Sequence, residues 1–303
     1  MLIEFKEHLN YLELIRTGKV KTALGLGIQN FDEYFRFKSS NFNIILGHAN
    51  VGKTSVALYL MLLYTIKHKK RWLIYSSENE PHSLIKKLIE FLDKKTIKQM
   101  TDEGFKKSSD FINQYFKFVD TSKMYTYKDL IELGTHIKNA WDYHGFFIDP
   151  YNSLKKDTDL LKSIGGHEYD YAVCTELRIF CKTNNITIWL NTHANTEALR
   201  KKHGAMDQYA GHPIPPMASD VEGGGKFVNR ADDFIVIHRY VQHQSDYMYN
   251  YLHIRKVKEI ETGGRPTALE SPIALRALKN NVGYTIGDLD LLESVKMPKN
   301  NPF

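Results

Sequence analysis

Apolar positions along the chain fall into short continuous runs separated by longer helical patterns. "NIIL" (43–46) is an apolar run of strand length, and "KTSVALYLMLLYTIKH" (53–68) is apolar nearly all round, which predicts a buried helix. "WLIYSS" (72–77), "FKFVD" (116–120), "GFFID" (145–149) and "ITIWLNT" (186–192) read as further strands. Pro81 opens a helix running to about Leu92, because proline is tolerated in a first turn. "YKDLIELGTHIKNAWDYH" (127–144) and "EYDYAVCTELRIFCKTNN" (168–185) predict helices, while "DDFIVIHR" (232–239) and "YNYLHIRKVK" (249–258) predict two more strands. Strands that alternate with helices and are apolar along their length imply an α/β fold. Its central sheet is mostly parallel, with helices on both faces. Residues 1–16 carry Leu2, Ile3, Phe5, Leu9, Leu12, Leu14 and Ile15 among polar residues. They predict an amphipathic helix, packed either on its own domain or, as an arm, on a neighbouring subunit. The segment 193–231, with Gly204, Gly211, Pro213, Pro215, Pro216 and Gly223–Gly225, is long for a loop in a compact domain and marks a functional or mobile region. Residues 265–303 give weaker signals and end in polar, proline-containing sequence expected to fray.

Composition adds limits. A chain of 303 residues, 42% hydrophobic and 25% charged, is an ordinary soluble globular sequence. Its net charge of +6 is compatible with nucleic acid without requiring it. Cys174 and Cys181 lie in one helical stretch, seven residues apart, and no Cys/His metal spacing occurs. A zinc site is therefore not expected, and a reducing compartment is. The charged N-terminus does not read as a signal peptide, and no run of about 18 apolar residues predicts a membrane span.

The chemistry begins at "GHANVGKT", Gly47 to Thr54, which matches G-x-x-x-x-G-K-T between an apolar strand and a helix. Gly47 and Gly52 let the backbone turn its N–H groups onto phosphate oxygens, and the helix N-terminus adds positive partial charge. Lys53 reaches the β- and γ-phosphates, and Thr54 offers a hydroxyl to Mg²⁺. Asn50, Val51 and Ser55 complete the candidate nucleotide-binding set, for ATP or another NTP or dNTP.

Carboxylates at strand ends follow. Asp149 closes "GFFID" and is the candidate to hold Mg²⁺ with Thr54; a turn or helix-cap role is the alternative. Glu78 follows the strand after the cradle helix. If that strand neighbours the cradle strand, its carboxyl faces the γ-phosphate and can orient and deprotonate an attacking water. Glu80 competes for this role. That placement matches RecA-like motor ATPases rather than small GTPases or most P-loop kinases. His193, with Asn191 and Thr192 as neighbours, can sense the γ-phosphate. Arg255, Lys256 and Lys258 lie on one strand before Gly263–Gly264 and can reach a neighbouring subunit's nucleotide, or simply form a basic edge.

With these residues in place, the chain resembles the ring-forming replicative DNA helicases of the DnaB-like family over roughly residues 20–287. "GLGIQNFDEYF" (25–35) resembles the segment before that family's cradle. "LIYSSENEP" (73–81) resembles its "AIFSLEMP", which implies a catalytic Glu78. "FFIDPYNSL" (146–154) resembles its Asp-Tyr segment, with Pro150 intervening. "NTHANTEALR" (191–200) resembles its sensor motif in the histidine form. "SDVEGGGKFVNRADDFIVIHR" (219–239) is similar to "DLRESG–IEQDADVVLFLYR". The family's K-x-R stands here as Lys256-Val257-Lys258, so Lys258 substitutes for an arginine finger, or Arg255 or Arg265 serves instead.

The resemblance implies a RecA-like motor domain over 25–290, an N-terminal arm over 1–24 and a tail over 291–303, as a motor-only, phage-type version. It implies a homohexamer that uses ATP and Mg²⁺, translocates on single-stranded DNA and unwinds a replication fork. A separate primase or loader and the cytoplasm of a bacterium or phage-infected host complete the picture. Lys155 and Lys156 after Asp149, Arg200, Lys201 and Lys202 after the sensor, and Lys226 after the triple glycine suit sequence-independent contacts to DNA phosphates, as does Lys162. Rival readings are a RecA- or KaiC-like DNA-binding ATPase without unwinding, a P-loop kinase for a small metabolite, and a loader or scaffold with residual ATPase.

Overall fold

The computed structural model describes residues 4–19, 23–260 and 263–296, leaving aside the side chains of Glu7 and His167. Leu2 and Ile3 of the N-terminal pattern lie outside them.

A ten-stranded sheet runs through the molecule in the order β10-β9-β8-β7-β6-β1-β5-β4-β2-β3. The strands are β1 (Phe42–Gly47), β2 (Trp72–Ser76), β3 (Phe116–Phe118), β4 (Gly145–Asp149), β5 (Thr187–His193), β6 (Asp233–His238), β7 (Tyr249–Val257), β8 (Ile273–Ala277), β9 (Tyr284–Ile286) and β10 (Leu289–Asp290). β3, β2, β4, β5, β1 and β6 pair in parallel; β7 to β10 add an antiparallel extension beyond β6. Every residue of β1, β2, β4 and β6 is buried, as parallel strands covered on both faces must be.

Helices α1 (Phe5–Arg16), α2 (Gln29–Asp32), α3 (Lys53–His68), α4 (Pro81–Asp93), α5 (Asp102–Tyr115), α6 (Tyr127–Ala140), α7 (Thr158–Asn184), α8 (Thr196–Arg200), α9 (Lys226–Arg230) and α10 (Leu291–Lys296) surround it. One core layer joins α3, α4 and α10 to the sheet through Ile45, Ile74, Trp189, Ile235 and Leu252. The other joins α6, α7 and α9 through Ile44, Leu73, Ile148, Leu190 and Val236. Alternate residues of each strand feed opposite layers, the period-2 signature of a sheet buried on both faces.

Several expectations are revised. β2 does not neighbour β1: β5 and β4 lie between them. α5 occupies a stretch where no element was expected; its first turn is capped by the Thr101 hydroxyl, which accepts from the Gly104 N–H at 3.2 Å. The core does not end at residue 290. Leu291, Leu292 and Val295 of α10 are buried against it, so the described part of the supposed tail is structural. α7 begins ten residues before the expected 168 and is broken at Gly165, whose φ is +76°. Cys174 and Cys181 are both buried and unpaired as thiols in one core layer.

Phe5, Leu9 and Leu12 of α1 recur at helical spacing yet remain 71%, 47% and 56% exposed. The helix does not bury its apolar stripe on its own domain.

Candidate active site

The parallel strands β1, β5, β4 and β2 end on one edge of the sheet, and their C-terminal residues converge on a cleft of about 440 Å³. Its lining includes Asn50, Gly52, Lys53, Thr54, Ser55, Glu78, Asn191 and His193. Such a crevice beyond the carboxyl ends of parallel strands is where open α/β sheets hold ligands.

The cradle depends on its glycines for two different reasons. Gly52 sits at φ +86°, a left-handed conformation that suits glycine. Gly47 has no such twist; a Cβ there would stand 2.4 Å from the carbonyl oxygen of Ile237, so β6 passes too close for any side chain. Asn50 takes the remaining left-handed position, φ +62°. The loop is also held from outside: buried Asn250 on β7 donates from Nδ2 to the Val51 carbonyl at 2.6 Å.

Lys53 is 7% exposed, and its ammonium donates to the carbonyls of His48 (2.8 Å) and Gly47 (3.1 Å). Burial pushes its pKa down to about 8, against the opposing pull of Asp149 and Glu78. His193 Nδ1 lies 3.4 Å from Lys53 Nζ, and its Nε2 lies 3.3 Å from Glu78 Oε1. His193 thus bridges the cradle lysine and the candidate general base. Glu78 reaches this point although β2 is three strands from β1, because it lies two residues past the end of β2, where the chain turns over the cleft. Its side chain is half exposed. Glu80, the rival, instead precedes α4 at its N-cap and does not line the cleft.

Thr54 donates its hydroxyl to Asp149 Oδ2 at 2.8 Å. The carboxyl also accepts from Ser76 Oγ at 3.1 Å and from the Asn191 amide. Burial raises the Asp149 pKa; the hydrogen bonds from Thr54, Asn191 and Ser76 oppose it. A hydroxyl and a buried carboxylate in contact at the end of a phosphate loop form a donor set that fits Mg²⁺, a cation of oxygen ligands.

Some participants were not anticipated. Ser76 and Asn79, flanking Glu78, hydrogen-bond to one another at 3.1 Å and both face Asp149. Asn152 accepts at Oδ1 from the Thr192 hydroxyl (3.0 Å) and the His193 N–H (3.1 Å), and donates from Nδ2 to Glu222 at 2.7 Å. It ties the sensor strand to the glycine-rich turn. Asn250 had a signal in sequence, a buried amide inside an otherwise apolar and aromatic strand, but nothing local said what it would meet.

The candidate trans cations separate by their bonds. Lys256 is anchored on the carbonyls of Val228 and Ala231, both at 2.7 Å. Arg265 pairs with Glu33 and lies over the Tyr34 ring. Arg255 is half-buried, and burial lowers its pKa. Lys258 is 43% exposed and pairs with Asp232 at 3.2 Å, a carboxylate that Arg178 also holds at 2.7 Å.

The basic residues proposed for DNA are spread over one region. Lys155 and Lys156 are exposed and share a cavity of about 290 Å³ with Asn152, Glu222 and Gly223. Arg200, Lys201 and Lys202 are exposed; Arg200 pairs with Glu197 and Lys201 with Asp220. Lys226 opens α9 half-buried, and Lys162 is exposed on α7.

Solved structures share this arrangement. The chain superimposes on the ATPase domain of a phage DnaB-like helicase with a TM-score of 0.71, at 15% identity, covering 94% of this chain and 99% of that one. A DnaB-like replicative helicase, solved in a study of its interactions with primase, gives a TM-score of 0.66 at 15% identity, over 94% of this chain and 67% of that one. The chain has the RecA-like ATPase fold of DnaB-like helicases. The Twinkle homolog protein of Arabidopsis thaliana, chloroplastic/mitochondrial, is 21% identical over 253 residues, 78% of this chain and 34% of the relative. The chain therefore spans about a third of that relative's length. No protein-family model matches. Within the RecA-like frame, the α/β expectation and the parallel order of the cradle, carboxylate and sensor strands hold, and the antiparallel β7–β10 extension enlarges it. Among the described residues, no helix is long and apolar enough to cross a membrane.

Proposed function

We propose that this chain is the motor domain of a DnaB-like replicative helicase, hydrolysing ATP or another NTP or dNTP with Mg²⁺ to move along single-stranded DNA and unwind a fork. The observation that carries the reading is His193, within reach of both Lys53 and Glu78 above a cradle whose Thr54 is bonded to Asp149. Phosphoryl transfer requires positioning and charge stabilisation more than covalent chemistry. Lys53 neutralises the β- and γ-phosphate oxygens. Glu78 orients the attacking water and takes its proton. His193 follows the bond from Glu78 to Lys53, and through Asn152 its state reaches Glu222 and the glycine-rich turn. Mg²⁺, held by Thr54 and Asp149, would supply positive charge on the phosphates.

A homohexamer with nucleotide between subunits fits two further features. The apolar stripe of α1 needs a cover, which a neighbouring subunit would provide. Lys258 suits the trans role best, since Asp232 keeps Arg178 when Lys258 leaves it. Lys155, Lys156, Arg200, Lys201, Lys202 and Lys226 would line the track, with a primase or loader as separate partners.

The test is steady-state ATP hydrolysis with and without single-stranded DNA, with nucleotide binding measured separately. DNA should raise turnover, and Glu78→Gln should lower it by roughly 10²–10⁴-fold while binding persists. Hydrolysis indifferent to DNA, from a protein that stays monomeric with nucleotide, would sink the helicase reading.

A further inference from the structure

On the sheet face away from α3, the loop after α8 folds into a closed unit over β6 and β7. Its neck is paired: the Ile214 N–H donates to the Lys201 carbonyl at 3.0 Å, and the His203 N–H to the His212 carbonyl at 2.9 Å. Beneath it lies a cavity of about 340 Å³, whose lining has no residue in common with the phosphate cleft. Leu252 and Ile254 of β7 point into the α3 layer, so Tyr251 and His253 alternate to this side.

Three tyrosines dominate the lining. Tyr209 of the loop stacks on Tyr240, just past β6, with centroids 3.7 Å apart and planes 9° apart. Their hydroxyls are fixed from behind: Tyr209 donates to Asp246 at 2.6 Å, Tyr251 to the same oxygen at 3.2 Å, and Tyr240 pairs with His203 Nε2 at 3.0 Å. Asp207 is occupied too, accepting from the Tyr209 N–H at 2.8 Å and facing His203 Nδ1 at 3.0 Å. Asp207 and Asp246 therefore orient the rings, and the cavity presents aromatic surface held in place. His253 lines it at 2% exposure, with neither ring nitrogen bonded to any described residue. Burial, with the Arg255 guanidinium beside it, pushes this imidazole down to about 3. It stays neutral, with one N–H to donate and one nitrogen to accept.

We infer that this cavity is a slot for one unstacked nucleobase. The volume lies at the small end of ligand pockets. Tyrosine faces take a base by stacking, whatever its identity, and a neutral imidazole and the Gln208 amide offer hydrogen bonds to its edge. The source the surroundings favour is single-stranded DNA: exposed Arg200, Lys201 and Lys202 lead directly into the loop and suit phosphates flanking a captured base. The slot also communicates with the cradle, because Tyr240 packs edge-on against His238 (4.5 Å), which packs against His48 of the phosphate loop (6.1 Å). This inference rests on the DNA-translocating reading above.

The experiment measures fluorescence anisotropy of labelled oligothymidylate and of an abasic strand of equal length and charge, with a non-hydrolysable ATP analogue present. Wild type should prefer the base-bearing strand. Tyr209→Ala should weaken that strand roughly tenfold and leave the abasic one unchanged, while Tyr209→Phe retains the preference. Lys202→Ala should weaken both strands alike. In a second arm without DNA, ATP and inorganic tripolyphosphate are compared as ligands. If Tyr209→Ala weakens ATP but not tripolyphosphate, the slot takes the base of the nucleotide and the DNA assignment is overturned. If Tyr209→Ala changes neither strand nor nucleotide, with an unaltered melting curve, the slot is refuted. Wild type that binds no oligonucleotide refutes the helicase reading first and this one with it.

Discussion

Asn250→Ala tests how far the phosphate loop depends on a residue remote in sequence. In the native protein the Asn250 amide reaches the Val51 carbonyl at 2.6 Å from a buried position on β7. A Cβ added at Gly52 would come within 2.9 Å of the same amide, so the side chain packs directly beneath the left-handed turn. Truncation removes the donor and leaves a backbone carbonyl unpaired at the floor of the loop, at a cost of about 1–3 kcal/mol. For a domain of this size each kcal/mol lowers the melting temperature by roughly 2–4 °C, giving a fall of roughly 3–10 °C. A second cost appears on binding. Freed from Asn250, the loop must be ordered by the nucleotide, and fixing one residue takes about 1–2 kcal/mol. Affinity for a non-hydrolysable ATP analogue should therefore fall roughly tenfold. Differential scanning fluorimetry reads the first effect and isothermal titration calorimetry the second. Asn250→Asp is the harsher control: it turns a carboxylate toward a carbonyl, acceptor against acceptor, and should fall below alanine in both assays. An alanine variant that melts and binds as wild type does would refute the claim that β7 braces the cradle.

Lys53 carries a pH prediction. Its pKa is held at about 8, and phosphate beside it would raise that value, so binding above about pH 8 should take up a proton and weaken as pH rises further. Calorimetry in buffers of different ionisation enthalpy measures the uptake, and Lys53→Met should abolish it. Leu292→Ala, in the helix once expected to be a frayed tail, should cost about 2–5 kcal/mol by denaturant unfolding because the side chain is fully buried. Replacing Phe5, Leu9 and Leu12 together by serine should leave the melting of the isolated subunit unchanged but shift light-scattering mass toward monomer. Retention of the wild-type assembly would remove α1 from the interface.

What the sequence determined by itself was local or periodic. Continuous apolar runs marked β1, β2, β4, β5 and β6, because strands covered on both faces admit little else. The spacing of Gly47, Gly52, Lys53 and Thr54 marked the cradle, because a phosphate loop is built within one turn of chain. Asp149, His193 and Glu78 were legible as polar residues at strand ends. The tertiary structure decided their relations. The reasoning that placed Glu78 assumed β2 beside β1; the observed order puts β5 and β4 between, and Glu78 reaches the cleft through the turn after β2. Strand order is set by long-range pairing, which no local pattern encodes. The same holds for α10, whose short apolar pattern resembles a frayed end until it meets α3, and for Asn250 and Asn152, ordinary amides until their partners 199 and 70 residues away arrive. The tyrosines at 209, 240 and 251 were scattered letters in the sequence. Folding one loop back over an antiparallel strand pair made them a single surface.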